Sequence, residues 1–348
     1  MSRSLSDQPT SAEYLPIMFG FALFQIGGAV SRLGIPDALG DSAKTAAELT
    51  EHTGADPDFL HRLLRAAVPA GLLSQDGQGR FALTPLGGMY RSDSPLHGGP
   101  LDAMHGAPEV WQAWGALEQC VRTGRPAFDL VHGHGLFEHM VRTPEHAEVF
   151  HAAMAAGSAV QVPAIVEGVD FTRFRRVTDV GGGNGTHLAG ILRANPEVRG
   201  TVFDTPDGVL DAPRVLKEAA LEDRCDVVSG SFFDSVPAGA DAYLLKNILH
   251  DWDDDSCRRI LGNCREGLAP GGRIIVFSSV LAEGRHDEDP GDALGAALMD
   301  IEMMTVTTGR ERTRREFEEL FAGAGLKPAG LTPLKCPFLY YALEAVPV

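Results

Sequence analysis

Basic residues are scarce in this chain. Against 47 Asp and Glu stand only 30 Lys and Arg, a formal net charge of −17, so a polyanion such as nucleic acid would meet repulsion. Neither half conceals a basic module: residues 1–170 hold ten basic and nineteen acidic side chains, and residues 171–348 hold twenty and twenty-eight. Cysteine is thin as well. Cys120, Cys225, Cys257, Cys264 and Cys336 include no CxxC pair, which speaks against a disulfide framework and for reduced thiols in the cytoplasm. Cys257 and Cys264, seven apart, read as two positions on one helix rather than a metal pair. Long apolar runs are missing too. The nearest, Leu15–Val30, carries Pro16 and Gln25 and falls short of the roughly 20 residues a membrane span needs. No clear small-x-small cleavage site follows it. It reads as a buried helix, and no membrane partner is expected. There is no repeat of fixed period and no GK[ST] to make a P-loop.

What is present is ordinary globular material. A chain of 348 residues, 44% apolar and 22% charged, suggests about two domains with substantial cores. Residues 1–165 read almost wholly as helix, with apolar positions every three or four residues in Ala22–Leu33, Leu60–Leu73, Val110–Val121 and Glu145–Ile165. From Arg176 the pattern changes. Val177–Val180, Gly200–Phe203, Asp226–Val228, Ala242–Leu245 and Arg273–Phe277 look like buried strands, each followed by a helix. That order implies a doubly wound, mostly parallel α/β sheet. Leu331–Leu334 and Phe338–Ala345, joined by Lys335-Cys336-Pro337, predict an antiparallel edge hairpin on it. The polar stretch Glu283–Asp292 reads as a surface loop. The expected domains are therefore 1–165 and 166–348.

Within the first domain, about 42–92 has a winged-helix outline. A helix AAELTEHT ends at Gly54, a second starts at the capping Asp56 with Pro57 just inside, and LLSQDGQGRFALT turns at Asp76-Gly77. DNA binding would require a basic recognition helix, yet Lys44–Ser92 has five basic and five acidic residues. A structural or dimer-forming role is expected, with no nucleic acid partner.

The strongest chemical signal is Val177-Thr178-Asp179-Val180-Gly181-Gly182-Gly183-Asn184-Gly185. A buried strand runs into a glycine turn and then a helix, which places backbone at the carboxyl end of the first strand against a ligand. Thr186 stands where the nicotinamide fingerprint needs its third glycine. Asp204 follows the second strand, 21 residues beyond Gly183. A carboxylate there can accept from both hydroxyls of an adenosine ribose; alone it could equally be a cap or a surface acid.

Asp179–Gly185, Phe203-Asp204, Gly230-Ser231-Phe232-Phe233, Leu245–Trp252 (LKNILHDW), Pro270-Gly271-Gly272 and Gly309–Thr313 (GRERT) occur in the order found in the small-molecule O-methyltransferases. The chain resembles that family, which includes plant caffeate-type, hydroxyindole and bacterial antibiotic-tailoring enzymes, over nearly its whole length. The resemblance implies a class I methyltransferase domain, Rossmann-like with a seven-stranded sheet, behind a helical winged-helix dimerisation domain that Leu15–Leu39 opens. It implies a homodimer using S-adenosyl-L-methionine. Carried over, Gly181 and Gly183 line the methionine side, Asp204 holds the ribose, Phe232 packs on the adenine beside Ser231, Lys246 and Trp252 close the site, and Ser158 touches the cofactor's carboxylate. His250 becomes the general base and Glu311 its orienting carboxylate. Phe150, Met154, Met303 and Met304 fall where the family walls its acceptor pocket, although as core residues they would look alike. The other eleven histidines, including His132 and His134, show no partners at metal spacing, so no metal is expected.

Two departures stand out. Ser231 replaces an acid common in the family, and Ser278 replaces a glutamate that helps orient the histidine in plant members, which leaves one carboxylate, Glu311, for His250. The expected reaction is methylation of a phenolic hydroxyl of a small aromatic, polyketide-type natural product. A non-methylating tailoring reaction on the same fold and a winged-helix regulator are the alternatives.

Overall fold

The computed structural model describes residues 10–283, 290–336 and 339–348, and packing divides the chain into two compact units, 1–107 and 108–348. This packing groups the helices from Pro108 to Gly168 with the sheet, whereas the sequence placed the division near residue 165. The helices from Pro108 onward belong with the second unit because they bond to its helix Pro290–Val306: Trp114 Nε1 donates to Glu302 at 2.6 Å, and the Cys120 thiol to the Met304 carbonyl at 3.3 Å.

In the first unit the winged-helix outline is realised. Thr45 caps the helix Ala46–Thr53 in a capping box with Glu48, and Gly54 ends it at φ 65°, a left-handed conformation that suits glycine. The Asp56 carboxylate accepts from the Asp58 and Phe59 amides to open Pro57–Ala67. Strands β1 (Leu73–Gln75) and β2 (Phe81–Leu83) pair antiparallel, and Asp76 closes their turn by accepting from the Gln78 and Arg80 amides. Ile35, Leu39, Leu49, Leu60, Leu64 and Phe81 form the core.

The first helix departs from expectation. It runs Ser11–Arg32, 22 residues, and only its C-terminal part is buried in the chain, for example at Val30. Ile17 is 86% exposed and Phe21 60%. The helix around Leu15–Val30 is therefore longer than that run, and the run is exposed over its first part and buried only toward Val30. It and Pro144–Gly168 are both long and apolar enough to cross a membrane by length and composition.

The second unit is built on a sheet of β3 (Arg176–Val180), β4 (Arg199–Asp204), β5 (Cys225–Ser229), β6 (Ala240–Lys246), β7 (Leu268–Leu281), β8 (Arg312–Thr313), β9 (Leu326–Pro333) and β10 (Tyr340–Pro347). The spatial order is β5-β4-β3-β6-β7-β10-β9, seven strands, with the two-residue β8 pairing alongside β7. β3 to β7 are mutually parallel, while β10 runs antiparallel to both β7 and β9. The closing hairpin is thus present, with its later strand inserted between β7 and the edge. Pro337 and Phe338 of its predicted turn lie outside the described residues, as do 284–289 of the predicted loop. Pro290–Asp292 begin the helix Pro290–Val306.

Side chains alternate between the faces of each strand. Ala242 and Leu244 join Ile275 and Phe277 in one core under Thr186–Ala194 and the end of Pro144–Gly168. Tyr243 and Leu245 join Ile274 and Val276 in the other, against Asp254–Gly267 and Arg314–Gly323. Two buried faces explain why these strands read as continuous apolar runs. The predicted helix Val110–Val121 is two, Pro108–Gly115 and Leu117–Thr123, broken at Ala116 (φ −101°, ψ 12°). Leu244 is fully buried on the central strand β6. Leu244→Ala should lower unfolding free energy by about 2–5 kcal/mol through lost burial and a residual cavity, with an unchanged denaturant slope, as measured by urea titration.

Candidate active site

Strands β3 and β4 run outward on one side of the sheet and β6 and β7 on the other, so the order reverses between β3 and β6. A crevice at the carboxyl ends of the strands beside such a reversal is where doubly wound sheets bind ligands. A cavity of about 350 Å³ lies there. β3 delivers Gly181 and Gly183, β4 delivers Asp204, and β6 delivers Lys246.

The glycine turn has a physical reason at each step. Gly181 has φ 72° and Gly183 φ 56°, conformations that disfavour any side chain. A Cβ on Gly181 would also collide with Ile248. The Gly183 amide donates to Asp204 at 2.8 Å and the Thr205 amide to the other Asp204 oxygen at 2.6 Å. Burial raises the Asp204 carboxyl above its ordinary range, opposed by those two hydrogen bonds. With about four acceptor sites on two oxygens, the carboxylate retains capacity for a diol.

Ser231 and Phe232 line the cavity, and the Ser231 hydroxyl oxygen accepts from the Phe233 amide at 3.2 Å. Trp252 also lines it, stacked on Phe137 with centroids 5.1 Å apart and edge-on to Phe233 at 4.8 Å. Pro144–Gly168 contributes Phe150, Met154 and Ser158. The Ser158 hydroxyl donates to the Met154 carbonyl of its own helix at 2.8 Å. Met303 and Met304 do not line this cavity: Pro290–Val306 packs on the helices between Pro108 and His132 and on β7, Met303 is buried, and the Met304 carbonyl accepts the Cys120 thiol.

His250 sits on the 3-10 turn Leu249–Asp251 just beyond β6, its side chain 11% exposed. Its Nδ1 faces Glu311 Oε1 at 2.8 Å, and its Nε2 lies 3.7 Å from Asp251 Oδ1. Asp251, rather than His250, is counted in the cavity wall. Burial alone would lower the imidazole's pKa, but the charges of Glu311 and Asp251 outweigh it and leave the pKa raised above 6.5. Burial pushes the Asp251 carboxyl up to about 6, and brings the Lys246 ammonium down to about 8 against the pull of Asp179 and Asp251. Ser278 donates to the second Glu311 oxygen at 3.4 Å, and the Glu311 amide donates to Asp300 at 2.9 Å.

The segment Gly309–Thr313 fixes this turn. A Cβ on Gly309 would overlap the His250 carbonyl, so glycine lets the two backbones touch. Arg312, only 1% exposed, donates to the Leu249 carbonyl at 2.8 Å and the Trp252 carbonyl at 3.0 Å. Its guanidinium also pairs with Asp254 at 2.8 Å.

Sequence reasoning passed over several wall residues: Phe137, Asp179, Asn184, His187, Asn247 and Asp251. His187 is 2% exposed, with Nδ1 3.1 Å from Asp179. Asp179, Asn184, Asn247 and Asp251 stood inside the quoted motifs and could have been found from them; Phe137 and His187 arrive through tertiary packing. The other histidines show no partners at metal spacing along the chain, but three of the side chains so passed over meet in space. Glu109, His139 and His146 bring a ligand atom each to within 4.8 Å of one another, because three separate helices converge there.

Comparison with known proteins agrees with this geometry. Residues 114–327 match the model of an O-methyltransferase domain, and residues 15–93 that of an O-methyltransferase dimerisation domain. The chain belongs to this O-methyltransferase family and is an S-adenosylmethionine-dependent enzyme. It is 37% identical over 317 residues to a phenazine O-methyltransferase of Lysobacter antibioticus, covering 91% of each chain. The crystal structure of LaPhzM superposes with a TM-score of 0.89 at 35% identity, over 98% of this chain and 100% of that one. NcsB1, an O-methyltransferase from neocarzinostatin biosynthesis solved with S-adenosylmethionine and 2-hydroxy-5-methyl naphthoic acid, does so at 0.77 and 32%, over 94% and 96%.

Arg312→Met should therefore cost about 3 kcal/mol, the low end for a broken buried ion pair because Asp254 keeps some solvent. The loss should appear in chemical denaturation, with activity falling as the Leu249–Trp252 turn loosens.

Proposed function

We propose that this enzyme methylates a phenolic hydroxyl of an aromatic natural product, with His250 as the general base. The observation that carries the reading is the buried His250–Glu311 pair at 2.8 Å beside an apolar crevice. S-adenosylmethionine supplies a methyl group already activated on a sulfonium. The positive-φ glycines leave room for that ligand where a Cβ would intrude, and the Asp204 carboxylate suits its ribose hydroxyls. Gly181, Gly183, Asp204, Ser231, Phe232, Lys246, Trp252 and Ser158 are the residues proposed to hold it.

Beyond that, the protein's task is alignment, exclusion of water and removal of one proton. Phe150 and Met154 furnish apolar wall against the acceptor ring. Glu311 accepts from Nδ1–H of His250, which sets the tautomer and leaves Nε2 with the lone pair that takes the phenolic proton. The negative charges of Glu311 and Asp251 stabilise the resulting imidazolium. Methyl transfer and proton removal in this scheme use no metal.

Two further readings accompany this one. The chain acts as a homodimer: it carries the dimerisation domain, and the exposed apolar stretch Ile17–Leu23 is larger than a solitary surface helix tolerates. It works in the cytoplasm, consistent with five cysteines that remain free thiols.

The base is tested by His250→Ala, which should lower turnover by roughly 10²–10⁴-fold while S-adenosylmethionine affinity measured by calorimetry is nearly unchanged. A base must be neutral, so activity rises with pH through the His250 pKa, and the acid limb of wild type should lie above pH 6.5. Glu311→Gln removes the larger of the two opposing charges and should move that limb to lower pH. Full activity in His250→Ala with a panel of phenols, or an unmoved limb in Glu311→Gln, refutes the assignment. For the dimer, the double substitution Ile17→Asp and Phe21→Asp should convert the species seen by light scattering from dimer to monomer.

A further inference from the structure

Four histidines crowd one corner of the second unit, away from the glycine turn. His132 ends the helix Ala127–His132, His134 follows it, His139 lies on Leu136–Arg142, and His146 stands in the first turn of Pro144–Gly168. The His139 and His134 rings stack with centroids 5.2 Å apart, and His139 meets His146 edge-on at 5.2 Å. Glu109, in the first turn of Pro108–Gly115, completes the group, and its backbone carbonyl lies 3.0 Å from His132 Nε2.

Hydrogen bonding does not account for this cluster. Both ring nitrogens of His139 and both of His146 are buried with no partner among the described residues. His146 is only 5% exposed. A neutral imidazole carries one donor and one acceptor, and leaving such groups buried and unmatched is costly. Four such atoms within one cluster call for a ligand.

We infer that Glu109, His139 and His146 form a binding site for a divalent first-row metal ion, zinc being the best match. Two imidazoles and a carboxylate are a recurrent zinc ligand set, with water in the fourth position. Zinc bonds of about 2.0–2.1 Å put tetrahedral donors about 3.4 Å apart, so the three atoms, now within 4.8 Å of one another, would need to draw together by no more than about 1.4 Å. The metal has no part in methyl transfer. It ties Pro108–Gly115 to Leu136–Arg142 and Pro144–Gly168, and the last two helices carry Phe137, Met140, Val141, Ala147 and Phe150 of the cavity wall. His139 adjoins Met140 and His146 adjoins Ala147, so an ion here fixes the wall on the acceptor side.

The test uses tag-free, full-length protein stripped with a chelator and titrated with zinc against a chromophoric competitor. The expected result is one zinc per chain, retained through dialysis, with a rise of several degrees in melting temperature. His139→Ala and Glu109→Gln, both at half-buried positions, should weaken zinc binding at least 100-fold and abolish that rise, while the exposed controls His52→Ala and His61→Ala leave both unchanged. His146→Ala removes a buried ring and is informative only if its circular dichroism and S-adenosylmethionine affinity are native. Cobalt(II) should give visible bands of tetrahedral intensity in wild type and lose them in His139→Ala. Sub-stoichiometric zinc in wild type, or equal affinity in wild type, His139→Ala and Glu109→Gln, overturns the proposal and leaves the cluster as packed neutral histidines.

Discussion

The buried guanidinium of Arg312 is the constraint on which this site depends. The turn after β6 must present His250, Asp251 and Trp252, yet it is a single 3-10 turn whose own backbone bonds are two long ones, Asp251 N–H to Ile248 at 3.2 Å and Trp252 N–H to Leu249 at 3.5 Å. Arg312 supplies what is lacking by donating to the carbonyls of Leu249 and Trp252 on either side of the histidine. An arginine can do this because its planar fork offers five donors in fixed directions; a lysine would present a point charge. Glu311 precedes it in the chain, so the bond that fixes the backbone and the bond that fixes the imidazole come from adjacent residues. Gly309 makes the approach possible by having no side chain. Placement of the base is thus a property of two short segments clasping each other, some 60 residues apart in sequence.

The sheet explains why those segments meet where a ligand can bind. The chain winds from β3 toward β5 in one direction and then returns to the other side of β3 for β6, which opens a crevice at the carboxyl edge. Gly181 and Lys246, at the ends of the two strands flanking the reversal, consequently face the same cavity although 65 positions apart. The glycines set the floor by geometry, whereas Asp204, held by the Gly183 and Thr205 amides, gives it polarity. Helix Pro144–Gly168 and the aromatic group of Phe137, Phe233 and Trp252 supply the apolar remainder.

Much of this was legible in the sequence, and the limits have physical causes. Strand positions and the Gly181–Gly185 turn could be read because local backbone demands leave marks: buried strands show unbroken apolar runs, and a tight turn needs glycine; the His250–Glu311 pairing came only from the resemblance to the O-methyltransferases. The misreadings concern which neighbour covers a given face. Helical periodicity in Ile17–Leu23 announces an apolar surface without saying that the chain leaves it exposed. Which helices pack with the sheet is not marked along the chain either, since helices 108–168 look like those before them and differ only in what they touch. The gathering of Glu109, His139 and His146 from three helices has no spacing rule at all.

The substitution of Ser278 for a second carboxylate acquires a different meaning in three dimensions. From sequence alone it predicts a poorly supported base, with Glu311 as the only acid near His250. The structure puts Ser278 in contact with Glu311 rather than with the imidazole, and puts Asp251 3.7 Å from the other ring nitrogen. His250 thus lies between two carboxylates after all, one on each side, and its pKa is raised in spite of burial. The two acids are not equivalent. Glu311 is 1% exposed and bonded at Nδ1, so it sets orientation and tautomer. Asp251 lines the cavity with its carboxyl raised to about 6, so it is ionised near neutral pH and gains a proton as the medium turns mildly acidic. The basicity of His250 therefore depends on a group that is itself in contact with the crevice. An uncharged group that fills that crevice excludes water from Asp251 and raises the cost of its charge, whereas a cation beside it lowers that cost, so the occupant tunes the histidine that is to receive the proton.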